Sequence, residues 1–395
     1  MKMMQQGVFD GEKLSRIIEK LPKGKPRIDA YEEAIRLADQ AQDAYWRLGF
    51  RFSYTREVYF QDDPPKCIGV AAEFGPIFEA APPEIQRNRD LIDAYLMITQ
   101  LGVDVMQNLP QIPMVQYEAL LEQYDQLTRR YGIGRRTYFW QMMGRWEYAD
   151  PERALEYIEL AMQTPPDDHF GNCNACEHSW AAKQYIRLGR LEEAQRYIQP
   201  LETYRFSPCE NSFQNIWAAS LEYALDRGDL ETAVPLAQKL YKKGNRNRTD
   251  LRFIGPVLRC WGMTNADRGV SLFVRRLEWS IGMWDQKKVY DFDKGACILF
   301  RRLAGVRQTV KLELPKAFPL WREDGRYPVQ ELADWFLTQA ETIGRRFDRR
   351  NSSHYFEDDL AAALKQCGLP DSETERRNQY DRGTDHFGPD AKGTS

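Results

Sequence analysis

One phrase returns in this chain, and it limits the fold more than any other feature. Tyr185-Ile-Arg-Leu-Gly189-Arg-Leu-Glu-Glu-Ala194 is echoed by Tyr223-Ala-Leu-Asp-Arg-Gly228-Asp-Leu-Glu-Thr-Ala233, with Gly and Ala five residues apart both times. The phrase reads as the end of one helix, a turn at Gly, and a second helix entered before Ala. Self-similarity at a period of roughly 34 to 47 residues marks helical repeat arrays, in which no unit buries its apolar face alone and neighbours must stack. The expected fold is all-α, a right-handed helical-repeat solenoid of paired helices.

The same pattern extends to either side. Asp150-Pro-Glu-Arg-Ala154 has the chemistry of a helix start: Asp caps, Pro suits the first turn, and Glu152 favours the positive helix end. Apolar positions follow at Ala154, Ile158 and Ala161, then at Ala194, Ile198 and Leu201, then at Ala233, Ala237 and Leu240; the leading alanines lie 40 and 39 residues apart. Small residues at such places let paired helices approach, and larger ones fill the groove. A fourth unit is expected around Trp261 to Gly269, with Gly269 in place of the alanine.

The Gly...Ala spacing and the three-and-four pattern resemble tetratricopeptide repeats, with a longer period than is usual for them. The stretch from Asp150 to Asn351 also resembles a family of uncharacterised bacterial tetratricopeptide-like proteins. The resemblance is carried by Cys173 and Cys176 before one repeat, Cys209 before the next, Asp267-Arg-Gly269 with Arg275-Arg-Leu-Glu-Trp279, and Phe347-Asp-Arg-Arg-Asn351. It implies a fold of helix pairs, and no activity.

Outside the repeats, Ile28 to Leu48 reads as one helix and Met114 to Tyr131 as another, and Val329 to Phe347 returns to an amphipathic pattern. Thr309-Val-Lys-Leu-Glu-Leu-Pro315 alternates apolar and polar residues, as a short extended segment or hairpin arm would. Four regions follow: an N-terminal helical region (1–136), the repeats (137–304), a C-terminal helical cap with the extended segment (305–368), and a polar tail (369–395) expected to lack order unless bound.

Composition narrows the function classes. Fifty-five basic against 58 acidic residues give no nucleic-acid footprint. No stretch of about 18 apolar residues is present to span a membrane. Met1 to Lys25 has no apolar h-region, and seven cysteines make no dense disulfide framework. A reduced, cytoplasmic protein is the expectation. The chain has no GxGxxG, and Gly132-Ile-Gly134-Arg-Arg136 lacks the Lys and Ser/Thr of a phosphate-binding loop. It also has no serine nucleophile elbow.

The sharpest chemical cluster is His169-Phe-Gly-Asn-Cys173-Asn-Ala-Cys176-Glu-His178, with Cys209 entering the next repeat. Three thiolates and one imidazole would close a tetrahedral structural zinc site, His169 and His178 competing as fourth ligand. Buried unligated cysteines and a redox pair are the alternatives, the last disfavoured because a thioredoxin-like CxxC belongs in a βαβ setting. Such a zinc would clamp the seam between repeats.

The leading function is a noncatalytic scaffold holding a protein or peptide, with no nucleic-acid or membrane partner. Tyr138, Trp140, Arg145, Trp180 and Trp217 are the candidate contacts, against the blander reading that aromatics pack between helices. The arginine pairs 135/136, 275/276, 301/302 and 349/350 could form a basic stripe or ordinary exposed faces. A peptide-sensing regulatory receptor is the second reading, and a metal-dependent enzyme using the cysteines the third.

Overall fold

The computed structural model describes residues 9–60, 63–167, 170–203, 205, 209, 211–244 and 246–368. His169 and the tail 369–395 lie outside them. Eighteen α-helices and one two-stranded sheet are present among the described residues, so the chain is all-α in class. None of these helices is long and apolar enough to cross a membrane. Two compact units are formed: one takes the described residues up to Glu177 with Trp284–Gln286, the other those from His178 to Met283 and from Lys287 onward.

The first unit holds α1 (Gly11–Glu19), α2 (Lys25–Ala41), α3 (Ala44–Phe60), α4 (Lys66–Glu79), α5 (Pro83–Gln86), α6 (Arg89–Gln107), α7 (Met114–Tyr131), α8 (Arg135–Trp146) and α9 (Pro151–Gln163). Helix boundaries follow local chemistry. Asn88 caps α6 by accepting the Leu91 N–H, and Asp150 caps α9 by accepting the Arg153 N–H, with Pro151 at its first position. The expected single helix from Ile28 to Leu48 is instead two. Gln42 turns left-handed at φ 53°, and Asp43 starts α3 by accepting the Trp46 N–H at 3.0 Å. The apolar period continues across the break, which is why periodicity alone hides it. Tyr31, Phe50, Phe74, Phe78 and Tyr95 fill the core, with Phe74 and Phe78 rings 5.4 and 5.2 Å from that of Tyr95.

After α10 (Asn174–Arg187) come α11 (Leu191–Glu202), α12 (Ser212–Asp226), α13 (Leu230–Lys243), α14 (Leu251–Thr264), α15 (Ala266–Ser280) and α16 (Gln286–Ala304). The returning phrase folds into the same turn twice. Gly189 (φ 71°) and Gly228 (φ 72°) take the left-handed conformation after α10 and α12, and the next N–H reaches back, Arg190 to the Tyr185 carbonyl and Asp229 to that of Ala224, each at 2.9 Å. This is the Schellman closure, which glycine permits at least cost. It folds each second helix back on the first: Tyr185 of α10 stacks on Tyr197 of α11 at 5.5 Å, and α13 packs on α12. Ala154, Ala194 and Ala233 are all at most 1% exposed, as close helix approach requires.

Where a fourth repeat is expected, glycine stands at the small-residue position, for a steric reason. A Cβ on Gly269 of α15 would stand 2.6 Å from Leu299 Cδ1, so the position that carries Ala elsewhere is Gly here. α16 is buried on all sides from Tyr290 to Arg301 and forms the centre of the second unit. Phe292 and Phe300 of α16 meet Phe273 of α15 at 6.0 and 4.8 Å.

The segment near Thr309 is the arm of a hairpin. β1 (Thr309–Lys311) pairs antiparallel with β2 (Arg326–Pro328), Val310 opposite Tyr327. β2 leads directly into α17 (Val329–Asn351), followed by α18 (Tyr355–Gln366). Phe336 of α17 packs against Phe273 at 5.3 Å, closing the core.

Candidate metal centre

Cys173 precedes α10 at its N-cap position, where its carbonyl accepts the Glu177 N–H at 3.1 Å. Its sulfur accepts the Cys176 N–H at 3.3 Å, the bond a Ser or Asp cap would make. The CxxC spacing follows from that helical start: one cysteine caps, and the other sits three residues on and faces the same way. Cys209 completes the group, and the three Sγ atoms lie within 4.8 Å of one another. Zinc–thiolate bonds of about 2.3 Å at tetrahedral angles would need sulfurs about 3.8 Å apart, so the group requires only a small contraction. An N–H pointing at a sulfur at a helix N-terminus also suits a negatively charged ligand. The cluster could therefore hold a metal ion, and its donor set favours a soft one such as zinc.

The histidines sit differently. His178 is one turn into α10, its ring 6.0 Å from that of Tyr197 and edge-on to it. The described residues that meet in the group are the three cysteines. His354 is 83% exposed at the start of α18, its Nδ1 3.5 Å from Glu357, as a solvated helix junction would place it.

The aromatic and basic candidates divide between core and surface. Trp140 is 3% exposed and belongs to the core of its unit. Tyr138 is half-buried beneath the Arg135 guanidinium, 4.6 Å from its ring, and burial pushes its hydroxyl up to about 12. Arg145 donates to Glu118 at 2.8 Å and lies over the Trp146 ring. Trp180 is half-buried. Trp217 is also half-buried, stacked on Phe213 at 5.9 Å with Lys239 over its ring. Arg135 binds Asp125 and Arg136 binds Glu177, so this pair is engaged within the unit and forms no open stripe.

A second polar cluster carries no motif by which its members could be grouped from sequence. In the second unit, Lys294 of α16 places Nζ 2.7 Å from Asp359 of α18 and 3.5 Å from Glu222 of α12. Lys287 lies 2.6 Å from Asp291, and Arg259 of α14 donates to Asp226 at 2.7 Å. The Tyr290 hydroxyl is 2.7 Å from Asp359 and 2.8 Å from the Phe356 carbonyl. Burial works to raise the Asp359 pKa, but the Lys294 ammonium and the Tyr290 hydroxyl overcome it and hold the carboxyl down at about 2. Three cations thus face four carboxylates across four helices, an arrangement that fixes helix positions. The one local sign of it is Asp291-Phe-Asp-Lys294 standing directly before the apolar run Ala296 to Phe300.

No protein-family model matches this chain, and no curated protein matches it.

Proposed function

We propose that this chain is a noncatalytic scaffold that holds a protein or peptide on a right-handed tetratricopeptide-like array of helix pairs. One observation carries the reading: the repeated phrase makes the same glycine turn and the same buried-alanine contact in successive pairs. Recurrence of a whole supersecondary unit is what a repeat array consists of, and such arrays act through their extended surfaces. That second step is analogy of fold. Half-buried Trp180 and Trp217 are the anchors of this surface, since tryptophan is among the residues that carry most of the energy at binding surfaces. Trp140, being core, is not one of them. In this reading Cys173, Cys176 and Cys209 hold a zinc ion that stiffens the scaffold and takes no part in chemistry.

Panning a peptide library on the intact protein tests the proposal. Selected peptides should lose about tenfold or more in affinity with Trp217→Ala or Trp180→Ala, the scale of an anchor residue. Val115→Ala, at an exposed site on α7, should leave affinity unchanged. Failure to enrich any peptide, or equal loss in all three variants, counts against the scaffold.

A further inference from the structure

A cleft of about 280 Å³ opens in the first unit, lined by Arg136, Pro166, Asp167, Phe170, Asn172 and Glu177 among others. The balance of its charged groups is one-sided. Four of the five Arg136 N–H donors are engaged: Nε and Nη2 donate to Glu177 Oε2 at 2.8 and 2.6 Å, Nη2 also to Met162 Sδ at 3.6 Å, and Nη1 to the Thr164 carbonyl at 2.7 Å. The Gly134 N–H is engaged too, by Asp167 Oδ2 at 2.9 Å. Among the charged groups, what remains is mainly acceptor capacity. Glu177 is 1% exposed, and its second oxygen, Oε1, makes no hydrogen bond of good geometry, although Trp140 and Asn172 lie near it. Asp167 uses one of its two oxygens in the bond to Gly134.

Two carboxylates with unfilled lone pairs, an arginine already paired with one of them and one aromatic ring complement a hydrogen-bond donor that carries positive charge. An anion would face both carboxylates with the arginine already occupied. The volume accommodates a side-chain-sized group, since a single water occupies about 30 Å³. We propose that this cleft binds a primary ammonium group, presented by a lysine side chain or a free N-terminus of a peptide. The peptide source rests on the scaffold reading; the ammonium chemistry does not.

The test uses n-butylammonium chloride as probe, followed by amide chemical shifts or calorimetry on the full chain. Saturable binding is expected for the ammonium and not for n-butanol or butyrate. Asp167→Asn, at a partly exposed site away from the Arg136 pair, should weaken it about tenfold, as loss of a charged hydrogen-bond acceptor does. Equal binding of butanol or butyrate overturns the proposal, and so does unchanged ammonium affinity in folded Asp167→Asn. Glu177→Gln gives a second reading where it folds. Two peptides then distinguish the sources, one with a free α-amine and no lysine, the other N-acetylated with a single lysine. Whichever displaces butylammonium names the source, and displacement by neither overturns the peptide part alone. The scaffold reading fails separately, by the absence of anchor-dependent peptides.

Discussion

The carbonyl oxygen of Gly255 occupies the place where Gly295 would carry a Cβ: the two positions are 2.2 Å apart. The relation is mutual, because a Cβ on Gly255 would stand 2.1 Å from the Asp291 carbonyl oxygen. α14 and α16 therefore meet backbone to backbone. Gly295→Ala must push two buried helices apart, and we expect a loss of about 3 kcal/mol or more by chemical denaturation. Gly69→Ala supplies the opposite sign: nothing lies within 4 Å of its Cβ position, which is exposed on α4, so it should gain up to about 1 kcal/mol. Equal effects of the two substitutions would refute the close approach.

The Lys294–Asp359 pair predicts a particular acid response. Asp359 has a folded pKa near 2, below its unfolded value, so its contribution is present above about pH 4 and lost as pH falls through about 2. The amount is about 2 kcal/mol. Lys294→Met leaves Asp359 buried without its cation and should cost about 3–5 kcal/mol at neutral pH. It should also flatten the acid limb of the stability profile. A variant as stable as the parent would show that the network does not fix these helices.

Repeating local chemistry is legible in the amino-acid sequence itself. Met114 to Tyr131 is a helix with those bounds, Asp150 and Pro151 start α9, and the alternation at Thr309 becomes a hairpin arm. Each rests on residues close together along the chain. Long-range features are not legible in this way. The burial of Lys287, Asp291 and Lys294 is not legible because partners of the cluster lie on α12 and α18, far along the chain. Trp140 and Trp217 are the same residue type, yet only the fold sends one to the core and leaves the other half-open. Of the cysteine cluster, the CxxC is visible as a spacing, and Cys209 joins it through position in the repeat.

Asp104 of α6 predicts the reverse pH dependence. Burial raises its carboxyl to about 6, although Gln141 donates to it at 2.9 Å and the Tyr59 hydroxyl at 3.3 Å, both of which favour the charged form. A carboxyl raised above its unfolded value binds its proton more tightly in the folded state. Stability from this group is therefore greatest below about pH 4, declines as pH rises through about 6, and is constant beyond. The difference is about 2–3 kcal/mol. Burial also raises the Asp293 carboxyl, so Asp104→Asn should reduce the decline without abolishing it, while the Asp359 limb below pH 4 persists. A decline between pH 4 and 6 that is unchanged in Asp104→Asn assigns it to other groups.

The cysteine cluster makes the most direct claim on composition. Protein purified under reducing, chelator-free conditions should carry one zinc per chain, and Cys176→Ser should lose it, because three sulfurs within 4.8 Å are the group available to the ion. Cys67→Ser is the matched control. Cys67 is fully buried and its sulfur faces the Thr55 carbonyl at 3.7 Å, so the variant should lose stability and keep its metal. Chelation should lower the melting temperature of the parent and leave that of Cys176→Ser unchanged, since metal binding to the folded form adds to its stability. His169→Ala and His178→Ala decide the fourth position: the one that weakens zinc affinity supplies the ligand. Metal absent from the parent, or retained in Cys176→Ser, removes the zinc site from this scaffold.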